Sequence, residues 1–342
     1  MTDSRALRLA LWPLSVLYGL AARMRASLYR CGIFRRRRLN GTVISVGNLT
    51  VGGTGKTPMV LWLAERLIAD GERPAILTRG YRGGSASERG VPAADEIALL
   101  RLRLGARAQL GVGKNRYENG RTLERHGAKW FILDDGFQHL ALRRDVDIVL
   151  IDAADPFGGG MLLPSGRLRE PLGALGRAGV ILITRSERAP ALESMVRRNT
   201  RAPIFYAQSE LDAVLRAPAL AVEWPLPDRS AARVFAFCGI GNPRAFFDDL
   251  RRWGFSLVGE RRFRDHHRYS SADVASLESA ANAARADAMI CTEKDVFNLR
   301  NAEPGQLPVY ACRIRMAISD SAAFWDAILA AASRKQQRVK QP

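Results

Sequence analysis

Short apolar, β-branched runs recur along this chain, with helical patterns between them. Thr42-Val43-Ile44-Ser45-Val46, Arg73-Pro74-Ala75-Ile76-Leu77-Thr78, Trp130-Phe131-Ile132-Leu133, residues 146–151 and residues 179–184 each read as a buried strand. Residues 59–68 (MVLWLAERLI) read as a helix stopped near Gly71. Strands alternating with helices predict a parallel sheet. A second series starts with a strand over 232–238, a turn at Gly239-Ile240-Gly241-Asn242-Pro243, a helix over 244–253 and a strand over 286–291. Ser270 or Ser271 caps a further helix. Between the two series, 204–208 and 219–224 read as short strand-like pieces among prolines and polar residues. The expected class is α/β: a P-loop NTPase-type parallel-sheet domain, plus a second smaller α/β domain joined to it by a β-hairpin linker. The expected bounds are an N-terminal segment 1–38, a nucleotide-binding domain 39–200, a linker 201–230, a C-terminal domain 231–332 and a charged, disordered tail 333–342.

The N-terminal segment follows a different pattern. Its apolar run, Leu9 to Ala22, would span about 21 Å as a helix, short of the roughly 30 Å core of a bilayer. On a helical wheel Leu14, Leu17, Tyr18, Leu20, Ala21, Met24 and Leu28 share one face. Ser15, Gly19, Arg23, Ser27 and Arg30 lie opposite, and Arg35-Arg36-Arg37-Arg38 follow. An amphipathic helix with a basic flank suits the face of an anionic membrane. The alternative reading is a helix packed on the protein's own core with its arginines in water.

Between the first strand and its helix lies Gly47-Asn48-Leu49-Thr50-Val51-Gly52-Gly53-Thr54-Gly55-Lys56-Thr57-Pro58. Strand, glycine-rich turn, Gly-Lys-Thr and helix are the parts of a phosphate-binding loop. Glycines let backbone N–H groups curl around an anion, and the helix N-terminus adds further donors. Residues Thr50, Val51, Gly52, Gly53, Thr54, Gly55, Lys56 and Thr57 are therefore the expected nucleotide site. Lys56 would reach the β/γ-phosphates and Thr57 would offer its hydroxyl to Mg²⁺. Thr50 stands where the general motif has its first glycine.

Other strand ends carry further chemistry. The strand over 130–133 ends in Asp134-Asp135-Gly136, acidic residues of the kind a P-loop enzyme uses for Mg²⁺. The strand over 73–78 ends in Arg79-Gly80-Tyr81-Arg82-Gly83-Gly84, well placed to touch nucleotide or substrate phosphate. Asp95-Glu96 precede a helical run, and residues 163–171 (LPSGRLREP) form a basic loop. Asp265-His266-His267 offer a carboxylate beside an imidazole, a pairing that fixes the ring's tautomer.

Charge narrows the partner. The net charge is +18 over 342 residues, which suits an anionic ligand, lipid or nucleic acid. No aromatic-interleaved basic strand of the RNA-binding type is visible, so nucleic acid ranks last. The four cysteines have no C-x-x-C spacing and read as free thiols of a reducing compartment. A phosphate loop, a strand-end aspartate and a candidate base fit a small-molecule kinase. The alternative is a P-loop ATPase or GTPase acting on a protein partner. In Thr292-Glu293-Lys294-Asp295 lysine directly precedes aspartate, which fails the guanine-reading pattern.

Together these motifs resemble those of the tetraacyldisaccharide 4'-kinases of lipid A synthesis. The resemblance runs from the N-terminal helix to about residue 330. It rests on residues 45–58, Thr78-Arg79-Gly80-Tyr81, residues 134–139 (DDGFQH) and residues 163–170, with Asp265-His266-His267 and residues 292–295. Thr50 in the first glycine position is itself a feature of the family. The resemblance implies transfer of the γ-phosphate of ATP, with Mg²⁺, to the 4'-hydroxyl of a lipid A disaccharide 1-phosphate, giving lipid IVA. It implies peripheral attachment to the cytoplasmic face of the inner membrane of a Gram-negative bacterium, with no obligate protein partner. Its catalytic aspartate falls on Asp95, its histidine on His266 and its metal-binding glutamate on Glu96, with the acidic pair on Asp134 and Asp135. Substrate contacts are expected at Arg79, Tyr81, Arg116 and Arg167. Two departures stand out. The family's Gly-Asp-Glu-Pro is Ala94-Asp95-Glu96-Ile97 here, and Asn115 precedes Arg116 where an aspartate is usual. Which of Asp95, Asp134 and His266 takes the proton stays open at this level.

Overall fold

The computed structural model describes residues 3–80, 95–221, 232–299 and 305–340. Its residues group into two compact units, with described parts 3–80, 104–208 and 316–340 in the first, and 95–103, 209–221, 232–299 and 305–315 in the second.

The first unit contains α1 (Asp3–Arg30), β1 (Thr42–Asn48), α2 (Lys56–Ala69), β2 (Ala75–Thr78), β3 (Gln109–Val112), α4 (Arg116–Arg125), β4 (Trp130–Asp134), β5 (Val146–Asp152), β6 (Val180–Thr184), α5 (Pro190–Arg197) and α9 (Ser321–Lys340). β7 (Ile204–Arg216) begins in this unit. Its sheet runs β3-β2-β4-β1-β5-β6-β7, and each of these neighbouring pairs is parallel. β1 is central and buried along almost its whole length, as its β-branched run predicts. Parallel order puts the C-terminal ends of β1, β2 and β4 on one edge, where Asn48, Thr78 and Asp134 end their strands. One core holds Phe137, Val149, Ile151, Ile181 and Ile183; another holds Leu39, Val43, Leu77, Phe131 and Leu133.

The second unit contains α3 (Asp95–Leu104), which reaches the boundary, then β8 (Arg233–Cys238), α6 (Pro243–Arg252), β9 (Ser256–Arg262), α7 (Ser271–Ala283), β10 (Ala288–Thr292), α8 (Glu293–Leu299) and most of β11 (Val309–Ile318). Its strands run β11-β10-β8-β9, again parallel. One face packs Phe246, Phe247 and Leu250 of α6 against β8 and β10; the other packs Val274, Leu277 and Ala281 of α7. Ser270 is the cap of α7: its hydroxyl accepts from Asp273 N, and Asp273 accepts in return from Ser270 N.

Three local expectations change. β7 is one unbroken strand over Ile204–Arg216, longer than the piece expected at 204–208; of the piece expected at 219–224, residues 219–221 are not strand and 222–224 lie outside the described residues. Its charged and polar residues interrupt the apolar pattern without ending the backbone pairing. The 333–342 tail, expected disordered, continues α9 to Lys340. Phe324, Trp325, Ile328 and Ala332 bury one face of that helix, and the helix-forming Arg, Lys and Gln residues beyond them propagate it. Phe324 meets Trp62 and Phe205 edge-on, with ring centroids 5.4 and 5.2 Å away.

α1 docks by its small polar face. Ser15, buried, donates to Leu162 O (3.0 Å), pairs with Ser165 Oγ (2.8 Å) and accepts from Ser165 N (3.0 Å). A side chain at Gly19 would put a Cβ 2.6 Å from Leu162 Cδ1, so glycine permits the close approach. Tyr18 OH donates to Arg169 O at 3.0 Å. The apolar face points away: Trp12, Leu14, Leu17, Leu20 and Met24 are each more than half exposed. α1 thus rests on the protein by its polar face, and its apolar stripe is not part of the core. No helix among the described residues is long and apolar enough to cross a membrane.

Candidate active site

The phosphate loop of the first unit is built as its sequence requires. Gly55 adopts a left-handed φ of 87° at the position before α2, which lets Lys56 open the helix. Gly47, two residues from the loop's start, lies against the 136–138 turn; a Cβ there would sit 2.6 Å from Phe137 Cβ and 2.8 Å from Phe137 N.

Lys56 Nζ lies 3.2 Å from Asn48 Oδ1 and 3.6 Å from Asp135 Oδ1. Asp135, in a left-handed turn (φ 47°), accepts from Arg169 Nη1 at 2.7 Å through Oδ2. Its Oδ1 is buried without a hydrogen bond among the described residues. Burial pushes the Asp135 carboxyl up, but Lys56 and Arg169 outweigh it and hold it below the ordinary range. Arg169 also reaches Asn48 Oδ1 and Gln138 Oε1, each at 3.3 Å. Asp134, at the end of β4, accepts from Thr78 Oγ1 at 3.0 Å.

The 163–169 segment is more than a basic loop. Thr50 bridges Leu168, Val51 N donates to Arg167 O (2.8 Å), and Arg169 N donates to Leu49 O (2.7 Å). Arg167, expected at the substrate, donates from Nε and Nη2 to Val51 O (3.0 and 2.7 Å) and pairs with Asp155 (2.6 Å). Arg185, paired to Asp152 at 2.7 Å, donates to Gly53 O at 3.4 Å. These arginines fix the loop's carbonyls at Val51 and Gly53.

Of the other expected substrate residues, Arg79 is exposed at the end of β2, and Tyr81 lies outside the described residues. Arg116 opens α4 behind Asn115, which caps the helix by accepting from Glu118 N at 3.3 Å. Asparagine thus serves as cap where the family has aspartate. The Arg116 guanidinium is buried beside Asp134, Asp135 and Arg79, and its Nε has no hydrogen-bond partner among the described residues.

The remaining candidates lie in the second unit. Asp95, buried at the start of α3, has its two carboxylate oxygens 3.0 and 2.9 Å from His266 Nδ1. Asn298 Nδ2 donates to the same carboxylate at 3.4 Å, and Glu96 N at 2.9 Å. Burial pushes Asp95 up; the His266 hydrogen bond and the charge of Lys294 overcome it and hold Asp95 low. The bond to Asp95 holds His266 above its ordinary value, against burial. An acceptor-only carboxylate makes Nδ1–H the donor; Nε2 lies 3.8 Å from Asp265 Oδ1. Glu96 is paired with Lys294 at 2.7 Å, which lowers its pKa.

Sequence reasoning assigned no role to Asn48, Lys294 or Asn298. An asparagine ending an apolar, fully buried strand was the visible signal for Asn48.

The sequence profile of the family described as Tetraacyldisaccharide-1-P 4'-kinase matches residues 7–333. The chain belongs to this family. It is 38% identical to the tetraacyldisaccharide 4'-kinase of Desulfotalea psychrophila, over 90% of this chain and 92% of that one. It is 42% identical to that of Syntrophobacter fumaroxidans, over 85% and 81%. Among solved structures, LpxK from Aquifex aeolicus, in complex with ATP, matches with a TM-score of 0.74 and 32% identity, covering 95% of this chain and 99% of that one. The tetraacyldisaccharide 4'-kinase family is thus matched across both units.

Proposed function

We propose that this chain transfers the γ-phosphate of ATP to the 4'-hydroxyl of a tetraacyldisaccharide 1-phosphate, forming lipid IVA at the cytoplasmic face of the inner membrane. The observation that carries the reading is the phosphate loop with Lys56 bonded to Asn48 and near Asp135, in a chain of this family. Lys56 and the loop N–H groups bind the β/γ-phosphates and gather charge as the phosphoryl group moves.

Thr57 and Asp135 would hold Mg²⁺. The Oδ1 of Asp135, buried without a hydrogen bond among the described residues though 3.6 Å from Lys56 Nζ, fits a cation or its bound water; Glu96, like Asp135 already paired with a basic side chain, stays a candidate beside it. Mg²⁺ would supply charge neutralisation between the phosphates. The Asp95–His266 pair takes the proton of the acceptor hydroxyl; two groups this closely coupled titrate as a unit. Asp134, bonded to Thr78, is left as a supporting carboxylate. Arg79, Tyr81 and Arg116 meet the phosphate of the lipid, with the buried Nε of Arg116 supporting that role. The exposed apolar face of α1 lies on the anionic membrane surface, where the acyl chains remain.

The test is transfer of labelled γ-phosphate to tetraacyldisaccharide 1-phosphate in mixed micelles, for wild type, Lys56→Ala and Asp95→Ala. Transfer lost by about 10²-fold or more in both variants is the expected result. ATP hydrolysis without transfer to the lipid by wild type would restore the partner-driven ATPase.

A further inference from the structure

The motif Thr292-Glu293-Lys294-Asp295 is not used in the reaction above, yet its aspartate is the most buried carboxylate of the second unit, with no exposed surface. It sits in the first turn of α8 and accepts from four donors. Oδ1 takes Gly239 N at 2.8 Å and Tyr269 OH at 2.8 Å. Oδ2 takes Thr292 N at 3.2 Å and Thr292 Oγ1 at 2.6 Å. Burying a carboxylate this deeply is costly unless its lone pairs are filled, and here each oxygen has two donors.

Those donors bracket His266. The backbone N–H of His266 donates to Gly239 O at 2.9 Å, so the glycine that holds the histidine by its carbonyl is held by Asp295 through its N–H. Three residues beyond His266, Tyr269 is fixed by its hydroxyl on Asp295 and by its N–H on Asn298 O at 3.2 Å. Between these two ties His266 keeps a left-handed φ of 59°, a conformation a non-glycine residue holds only when its surroundings enforce it. A Cβ on Gly239 would crowd the His266 loop, 3.0 Å from Arg264 O and 3.1 Å from His267 Cβ. α8 is anchored in turn: Glu293 pairs with Arg103 of α3 at 3.2 Å and with Arg313 of β11 at 2.9 Å.

We propose that Asp295 is the positioning residue of the Asp95–His266 pair, holding the imidazole against the Asp95 carboxylate through Gly239 and Tyr269. Asn298 completes the same device from the next turn of α8 by bonding Asp95 directly. Asp295 itself touches neither nucleotide nor acceptor. The proposal rests on the reading of Asp95 and His266 as the catalytic pair.

Asp295→Asn places an amide among donors, and Tyr269→Phe removes one of the four bonds. Both are made in the full chain, and three readings are taken: kcat, KM for ATP, and the ring C–H cross-peak of His266 at fixed pH. With four histidines in the chain, that peak is assigned by its loss in His266→Gln. In Asp295→Asn, kcat falls about 10- to 100-fold, because misplacement of a reacting group is costly. KM for ATP stays within about twofold, and the His266 peak moves while those of His126 and His139 stay. Tyr269→Phe shifts the same peak, with a smaller loss of kcat. A His266 peak unmoved in both folded variants overturns the proposal, whatever happens to kcat. A displaced peak with undiminished kcat upholds the positioning and instead overturns the catalytic reading of the pair. If Asp295→Asn does not fold, Tyr269→Phe decides by the same criteria.

Discussion

Nδ1 of His266 lies 2.9 Å from Oδ2 of Asp95, across 171 residues of sequence. The bond holds the histidine above its ordinary 6.5 and the aspartate below its ordinary 3.8. If the pair must be deprotonated to accept the hydroxyl proton, kcat rises with pH through a value above 6.5. In Asp95→Asn the residual rate falls about 10²- to 10⁴-fold, and its rising limb moves down toward 6.5, because the imidazole has lost its carboxylate. A limb that stays in place in the variant would show that His266 is not the group seen. The check is a pH–rate profile under ATP saturation.

His139 gives a stability test with the opposite sign. Burial first, then Arg116, Arg144 and Arg25, lowers its pKa from 6.5 to about 4. The folded state keeps this ring neutral where the unfolded chain protonates it, so stability is retained above 6.5 and lost as pH falls toward about 4. Urea titrations between these limits should give a shallower pH dependence for His139→Gln than for wild type.

Gly47→Ala should destabilise the first unit by about 1–3 kcal/mol, because backbone and Cβ of Phe137 occupy the space the methyl needs. Thermal unfolding measures the loss. ATP affinity should fall with it, since the displaced turn carries Asp135 and Gln138, which bond Arg169 beside Lys56.

The exposed face of α1 is separable from its docked face. Leu17→Glu with Met24→Glu changes residues that are 62% and 63% exposed, and leaves Ser15, Tyr18 and Gly19 in place. Sedimentation with vesicles containing anionic phospholipid should drop at least about tenfold, with ATP affinity unchanged. Undiminished sedimentation would move the membrane contact elsewhere.

What was legible in the sequence is what is local. The phosphate loop compresses strand, turn and helix into residues 42–69, so periodicity and glycine spacing reveal it without tertiary information. β9 and β11 were not foreseen, because SLVGERR and VYACRIRMAI mix charges into their apolar positions. Arg167 shows the limit of charge as a signal: a basic residue in a basic loop reads as an anion ligand, and no spacing foretold that its guanidinium also bonds Val51 O and Asp155. Lys294 and Asn298 bond Glu96 and Asp95 across 198 and 203 residues of sequence, and no spacing along the chain could announce them.

α1 grips Ser165 through Ser15, and the segment from Ser165 to Arg169 is laced to Leu49 and Val51 of the phosphate loop. The N-terminal helix is therefore not an interchangeable tether. A helix borrowed from another protein would need a serine and a glycine where Ser15 and Gly19 stand, or it would detune the nucleotide loop it leans on. Helix and loop form one mechanical part, and substitutions in either are felt by the other.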